Sequence, residues 1–429
     1  MRYSLDKVTA REILDSRGNP TVEVEAWSRD GEMARASVPS GASTGSREAV
    51  ERRDADTSRF GGKGVLDAVH AVNGEICDAI SGVDVREQRH IDNLMLALDG
   101  TDNKGRLGAN AILGVSLAVA RLAAQVSRQP LYRYLGGLQA NLLPVPCMNI
   151  INGGVHARGQ GADFQEFMIA PHGAASLTDA VRQGSEVYQA LRQILIDRGL
   201  SAAIGDEGGF APVVSSNREP LQFIVQAIEK AGYRPGEDIS ICIDPASSEF
   251  YADGKYHLRT EASALNAAEM SDYYSELLDA FPIVLLEDGL AEDDWAGWKI
   301  LHDKLAGRAE LVGDDIFVTN VQYIRRGIAE NLASAALIKL NQIGSLSETF
   351  DAVTLCQQHG WGAFISHRSG ETTDSFFADM TVALRAGHLK TGAPCRGERV
   401  EKYNQLMRIE QALGEDARYA GRSAFVLHK

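Results

Sequence analysis

The chain is short of positive charge, of cysteine and of long apolar runs, and each shortage excludes something. Lys and Arg number 43 against 58 Asp and Glu, a net charge of −15. A protein that grips nucleic-acid phosphates needs a basic stripe, so no nucleic-acid partner is expected. An anionic substrate would have to be met by locally concentrated Lys, Arg, His or metal. The five cysteines, Cys77, Cys147, Cys242, Cys356 and Cys395, are odd in number and scattered, with no CxxC pair and no His at finger-like spacing. That pattern predicts reduced thiols and a cytoplasmic location. The start, MRYSLDKVTAREILDSRGNP, has no apolar core and reads as no signal peptide. No run reaches the length of a membrane span. The nearest, NAILGVSLAVARLAAQV (110–126), carries Asn110 and Arg121 and reads as a packed helix. Low-complexity segments and fixed-period repeats are also missing.

What is there fits a soluble globular enzyme: 429 residues, 44% hydrophobic and 24% charged, long enough for two or three domains. TVEVEAWS (21–28) alternates apolar and polar residues, as does the neighbourhood of MARASVP, with the hairpin signal SRDGE between them. Together they predict antiparallel strands after the DSRGNP turn. From about Ser46 to Leu135 the spacing turns helical, through SREAVERRD, GVLDAVHAVNGEICDAI and the run from Asn110 to Val126. LGGLQANLLPVP (135–146) is the natural boundary, dividing an N-terminal α+β domain (1–138) from a second domain (139–429). After it, short apolar runs alternate with helical stretches: PVPCMNI, FQEFMIAP, AAIGDE, ISICIDP, PIVLLED, ELVGDD, AALIKL, GAFISH and HLKTG. This alternation predicts an eight-stranded α/β barrel. The first two runs lie too close for an intervening helix, so the barrel is expected to start with a β-hairpin.

Four of those runs end on a residue able to bind a metal or move a proton: Asp244, Glu287, Asp314 and Lys339. In such a barrel all strand C-termini open onto one face, so the four converge on one pocket. Singly, each acid is as well read as a helix cap or a loop ion pair. Three at successive strand ends instead supply the hard oxygen ligands that suit Mg²⁺. Lys339 sits in an apolar run, where an ammonium is costly unless paired or deprotonated. It reads either as a snorkelling or paired lysine, or as a base whose pKa burial lowers. Glu207 in GDEGGFAP (205–212) lies on a glycine-flanked turn and is a general acid or a cap. Gln165 and Glu166 lie in a strand-like run, where an inward acid points to function. His367, Arg368 and Ser369 follow GAFI, and an Arg beside a Ser suits phosphate. Lys390 ends another run, with a surface lysine as the plainer reading. PSGASTGSREA (39–49) resembles a phosphate cradle without the P-loop pattern, and reads as a mobile loop able to act as a lid.

Read together, DSRGNPTVEVE, VPSGASTGSREA, NAILGVSLAVA, QEFMIAP, GDEGGFAP, AEDDW, GDDIFVTN, IKLNQIGS, SHRSGET and LKTGAPCRGERVEKYNQLMRIE resemble segments of the enolase family, in the family's order. The resemblance runs from about Val8 to Gly414. It implies a phosphopyruvate hydratase that reversibly dehydrates 2-phospho-D-glycerate to phosphoenolpyruvate in glycolysis and gluconeogenesis. By that resemblance Lys339 removes the C2 proton and Glu207 helps the C3 hydroxyl leave. Asp244, Glu287 and Asp314 hold a first Mg²⁺, and Ser43 in the closing loop helps to bind a second. Arg368 and Ser369 take the phosphate, Lys390 the carboxylate, while His156, Gln165, Glu166 and His367 complete the pocket. A homodimer or a larger ring of dimers is implied as well. One departure is Arg158 in HARGQGAD, where the family more often has a small, acidic or amide residue. It is either a solvent-facing variant or the mark of a paralogue acting on a related phosphonate or other acid. A non-enzymatic binding role would be favoured by loss of catalytic residues, and none is missing.

Overall fold

The computed structural model of the chain describes residues 3–41, 44–157 and 161–427, the side chain of His156 excepted. Three strands open it: β1 (Leu5–Leu14), β2 (Pro20–Ser28) and β3 (Met33–Ser37), paired antiparallel in chain order. The turn between β1 and β2 is made by Asp15, whose Oδ1 accepts the backbone N–H groups of Arg17 and Asn19 at 2.8 Å each. Gly18 supplies the left-handed φ of 76° that this turn requires. Alternate residues Val22, Val24 and Ala26 are buried under helix α2 (Ala109–Val126), which follows α1 (Gln88–Asp99). At Gly114 a Cβ would lie 2.7 Å from Val24 Cγ2, so glycine alone lets helix and sheet approach this closely. By length and composition α2 could cross a membrane, but 89% of it is buried inside the protein. Its apolarity serves a core, as its Asn110 and Arg121 suggested.

SREAVERRD does not form the expected helix. Its backbone bonds outward instead: Ala49 N–H donates to Gln342 C=O and Val50 N–H to Asn103 C=O, both at 2.8 Å. Tertiary partners have replaced the i→i−4 ladder, and the segment passes from a turn at 46–48 into irregular chain bonded to Gln342 and Asn103.

Eight strands then close a barrel in chain order: β4 (Val145–Asn152), β5 (Glu166–Ala170), β6 (Ser240–Asp244), β7 (Ile283–Glu287), β8 (Glu310–Gly313), β9 (Ala335–Ile338), β10 (Gly362–Ser366) and β11 (His388–Lys390). All neighbours are parallel except β5, which is antiparallel to both β4 and β6. The barrel therefore opens on an antiparallel pair, as the close spacing of those two runs predicted. AAIGDE is the one run that forms no barrel strand: Ile204 makes a single bridge to Phe210, and residues 205–208 are a turn. The reversal of β5 has a consequence for chemistry. Its first residue, Glu166, stands opposite Asn152 and Asp244, at the face where the other strands end.

Inside the barrel, Val145, Cys147, Met168, Cys242, Leu285, Val312, Leu337 and Phe364 form a dry layer beneath that face. The far end is closed by Ala420, Ala424 and Phe425 from the C-terminal segment. Two polar groups sit in this floor: His388 Nε2 lies 2.6 Å from Glu310 Oε2, and Glu310 Oε1 accepts the N–H of Val426 at 3.2 Å. Both side chains are almost wholly buried. Removing one partner of such a pair strands the other in an apolar layer. His388→Leu is expected to lower stability by about 3 kcal/mol, read from denaturant midpoints; a loss below about 1 kcal/mol would show that the pair does not hold the floor.

Candidate active site

Four strand ends bring charge to the open face of the barrel. Lys390, the last residue of β11, places Nζ 2.7 Å from Glu287 Oε1, 3.2 Å from Asp244 Oδ2 and 3.3 Å from Glu166 Oε2. Glu287 and Asp244 are themselves the last residues of β7 and β6. One ammonium thus faces three buried carboxylates, and the balance is negative. Burial and the neighbouring Asp244 push Glu287 well above the usual carboxylate range, and burial with Glu207 does the same to Glu166. The same acids hold Lys390 firmly protonated against the opposing effect of burial. Glu287 Oε2 has no hydrogen-bond partner among the described residues. Surplus negative charge, hard oxygen donors and an unused carboxylate lone pair are what a small divalent cation would satisfy.

Beside this group, Asp314 and Lys339 follow β8 and β9 directly. Lys339 Nζ donates to Asp314 Oδ2, and Gln342 Nε2 donates to Asp314 Oδ1 at 2.8 Å. The expected lowering of the lysine pKa does not occur in this arrangement. Burial, the largest single effect, lowers it, as do Arg368 and Lys390, but Asp314 and Asp315 raise it and the net shift is upward. Asp314 in turn is held low: burial would raise it, but Lys339 and Lys390 prevail. Two acids that the sequence reading passed over complete this corner. Asp288 accepts the backbone N–H groups of Asp314 (2.8 Å) and Asp315 (3.1 Å), while Asp315 is pushed up to about 8 by burial and by Asp314. Asp288, Asp314 and Asp315 each offer a carboxylate oxygen, all within 4.8 Å of one another. The doublets LLED and VGDD carried the signal: each strand end has two consecutive acids, one able to face the pocket and the next able to brace the turn.

Glu207 reaches the pocket from the 205–208 turn, not from a strand end. Its Oε2 accepts Asn149 Nδ2 at 3.0 Å and lies 3.4 Å from His367 Nε2. Burial drives the His367 pKa down to about 4, Glu207 opposing and the Arg399 guanidinium assisting. Gln165 is buried next to Glu166, its Oε1 without a partner among the described residues. Arg368 is fully buried and donates from Nη1 to Glu48 Oε2 at 2.9 Å and to Asn341 Oδ1 at 3.0 Å, and from Nη2 to Glu48 Oε1 at 3.1 Å. Ser369 lies buried beside it. Glu48 comes from the glycine-rich loop of the N-terminal part, which also fixes Ser46 to Glu292 and Arg47 to Asp293. Glu48 was not singled out from the sequence, because only the fold brings residues 48 and 368 together. Ser43, the side chain of His156 and Arg158 lie outside the described residues.

The family model described as "Enolase, C-terminal TIM barrel domain" matches residues 140–427, and "Enolase, N-terminal domain" matches residues 5–135. Similar curated proteins include "Enolase 2" of Pseudomonas syringae pv. tomato, 61% identical over 426 residues that cover 99% of this chain and 100% of the relative. "Enolase 2" of Methanospirillum hungatei is 59% identical over 99% of each chain. "Enolase" of Rubrobacter xylanophilus is 56% identical over 97% of each.

The site also makes a statement about pH. A ring with a folded-state pKa of about 4, against an ordinary 6.5, stays neutral while the unfolded chain takes up a proton. Its contribution is therefore whole above 6.5 and is lost as pH falls toward about 4. Relative to His367→Asn, wild-type protein should lose about 1.4 kcal/mol of unfolding free energy per pH unit across that window. Parallel stability curves for the two proteins would show that His367 titrates normally.

Proposed function

The chain belongs to the enolase family, a family of lyases, and we propose that it interconverts 2-phospho-D-glycerate and phosphoenolpyruvate with two Mg²⁺ ions. The observation that carries this reading is the pairing at the barrel mouth of surplus buried carboxylates with Lys339, together with a buried acid, Glu207, that accepts from Asn149 and lies 3.4 Å from His367. Asp244, Glu287 and Asp314 are the residues we assign to the first ion, following the family resemblance, while Asp288 holds the adjoining turn through the backbone N–H groups of Asp314 and Asp315. Ser43 is assigned to the second. A divalent cation at such a site supplies positive charge where the substrate carboxylate gains negative charge as its α-proton leaves.

The protein's own groups then divide the work. Arg368, with Ser369, meets the phosphate with a planar fork that presents two N–H groups at once. Glu48 holds that fork in the pocket and keeps it oriented. Lys390 faces the substrate carboxylate. Lys339 takes the proton from C2 as a neutral amine. Were Asp314 to hold a cation, its pull on the Lys339 proton would weaken, while burial, Arg368 and Lys390 would still lower the lysine pKa. Glu207 in its acid form gives a proton to the departing C3 hydroxyl, which leaves as water. Glu166, Gln165 and His367 line the pocket around it, and the family resemblance adds His156 to them. The family resemblance further supports a homodimer or higher homo-oligomer, a cytoplasmic enzyme of glycolysis and gluconeogenesis, with residues 1–138 capping the catalytic barrel of 139–429.

Ultraviolet absorbance should rise as phosphoenolpyruvate forms from 2-phosphoglycerate, and only with Mg²⁺ present. Folded protein inactive in saturating Mg²⁺ would refute the assignment. Lys339→Ala is expected to reduce kcat by roughly 10²–10⁴-fold or more. Binding of Mn²⁺ as a spin-active substitute, read by electron paramagnetic resonance, should survive that change but weaken roughly tenfold or more in Asp244→Asn and Glu287→Gln. An active Lys339→Ala protein would remove the lysine from the mechanism.

A further inference from the structure

Arg399, in the first turn of the helix Gly397–Leu413, has no exposed surface. Its Nη1 lies 2.6 Å from His367 Nδ1 and 2.6 Å from the carbonyl oxygen of Arg368. Its Nη2 lies 2.6 Å from the carbonyl oxygen of Ser369 and 3.2 Å from that of Asp206. One guanidinium therefore spans the turn that carries Arg368 and Ser369 and the turn that carries Glu207.

A guanidinium has donors and no acceptor, and it keeps its charge at any pH the protein meets. The nitrogen facing it must offer a lone pair. A hydrogen on His367 Nδ1 would point into the N–H of Arg399, and an imidazolium, with hydrogens on both nitrogens, fails for the same reason. We propose that Arg399 holds His367 as the neutral tautomer with its hydrogen on Nε2, the nitrogen on the side of Glu207, whose Oε2 lies 3.4 Å away without a hydrogen bond between them among the described residues. Three charged groups act on this ring: Glu207 and Glu371 favour its protonation, and Arg399 opposes it, as does burial.

A second consequence follows for Glu207, and it rests on the acid role assigned above. Asn149 Nδ2 already donates to Glu207 Oε2 at 3.0 Å. The Nε2–H of His367 lies on the side of the same oxygen, at 3.4 Å and outside hydrogen-bond geometry, so a small approach of the ring would give Oε2 a second donor and leave Oε1 for the proton of the acid form. Arg399 is thus a positioning residue, acting on Glu207 through His367.

The alternative is that Arg399 only ties three carbonyls together and leaves the ring indifferent. Two-bond proton–nitrogen correlation spectra of the full-length Mg²⁺-loaded protein, labelled with ¹⁵N-histidine, separate the two. The His367 signals are assigned by their absence in His367→Gln. The expected wild-type pattern at neutral pH is that of the Nε2–H tautomer, retained in Arg399→Lys, which can still donate. Arg399→Met should give mixed tautomers or a ring that titrates nearer neutrality. A hydrogen on Nδ1 or an imidazolium in the wild type would overturn the proposal, and so would an unchanged Nε2–H pattern in folded Arg399→Met. If Arg399→Met does not fold, the wild-type and Arg399→Lys spectra decide. None of these readouts uses turnover, so a failed activity assay would leave the tautomer standing and a wrong tautomer would leave the activity standing.

Discussion

Repulsion among buried carboxylates is the constraint around which the barrel mouth is organised. Glu166, Asp244, Glu287 and Asp314 are packed with two lysines where little water reaches, and burial pushes Glu166 and Glu287 well above the usual carboxylate range. Nothing in folding favours such a cluster for its own sake, since the same volume filled with apolar side chains would be at least as stable. The cluster persists because the strands that carry it are held from elsewhere: by the dry layer of Val145, Leu285, Val312, Leu337 and Phe364, and by the polar pair in the floor. Stability is generated at the bottom of the barrel and expended at its top.

The reversed strand β5 extends that arrangement. In a barrel of uniformly parallel strands, a residue at a strand's N-terminus would stand at the floor. Because β5 runs against its neighbours, Glu166 instead joins Asp244 at the mouth. The 205–208 turn lies at the same face, bringing Glu207 to Asn149 and His367 without a strand of its own. The N-terminal part closes the site from the other side, and Glu48 delivers a carboxylate to Arg368 across 320 residues of sequence. That contact explains why SREAVERRD is not a helix: a helical turn would withdraw both Glu48 and the backbone bonds of Ala49 and Val50.

Much of this was legible before any coordinates. The alternation of apolar runs and helical stretches yielded the barrel, its antiparallel opening pair and the strand ends at Asp244, Glu287, Asp314, Lys339 and Lys390. AAIGDE misled because a short apolar run flanked by glycine is common to strands and tight turns, and only its neighbours decide between them. Asp288 and Asp315 escaped notice because what joins them, the backbone N–H groups of Asp314 and Asp315 donating to Asp288, is a contact between two loops that no spacing rule reveals. Arg399 escaped for a similar reason, as its partners are one ring nitrogen and three carbonyls.

The sequence by itself determined which residue types stand at the strand ends and the order in which the strands arrive. Both follow from local periodicity, which is a property of neighbouring residues. The tertiary structure alone decided the charge states. Lys339 keeps its proton against the effect of burial because Asp314 touches it and Asp315 lies near, and the His367 pKa is lowered by burial, with the Arg399 guanidinium at its Nδ1 assisting. A pKa is set by the charges and dipoles within a few ångströms, and those come from segments that only the closed barrel brings into contact.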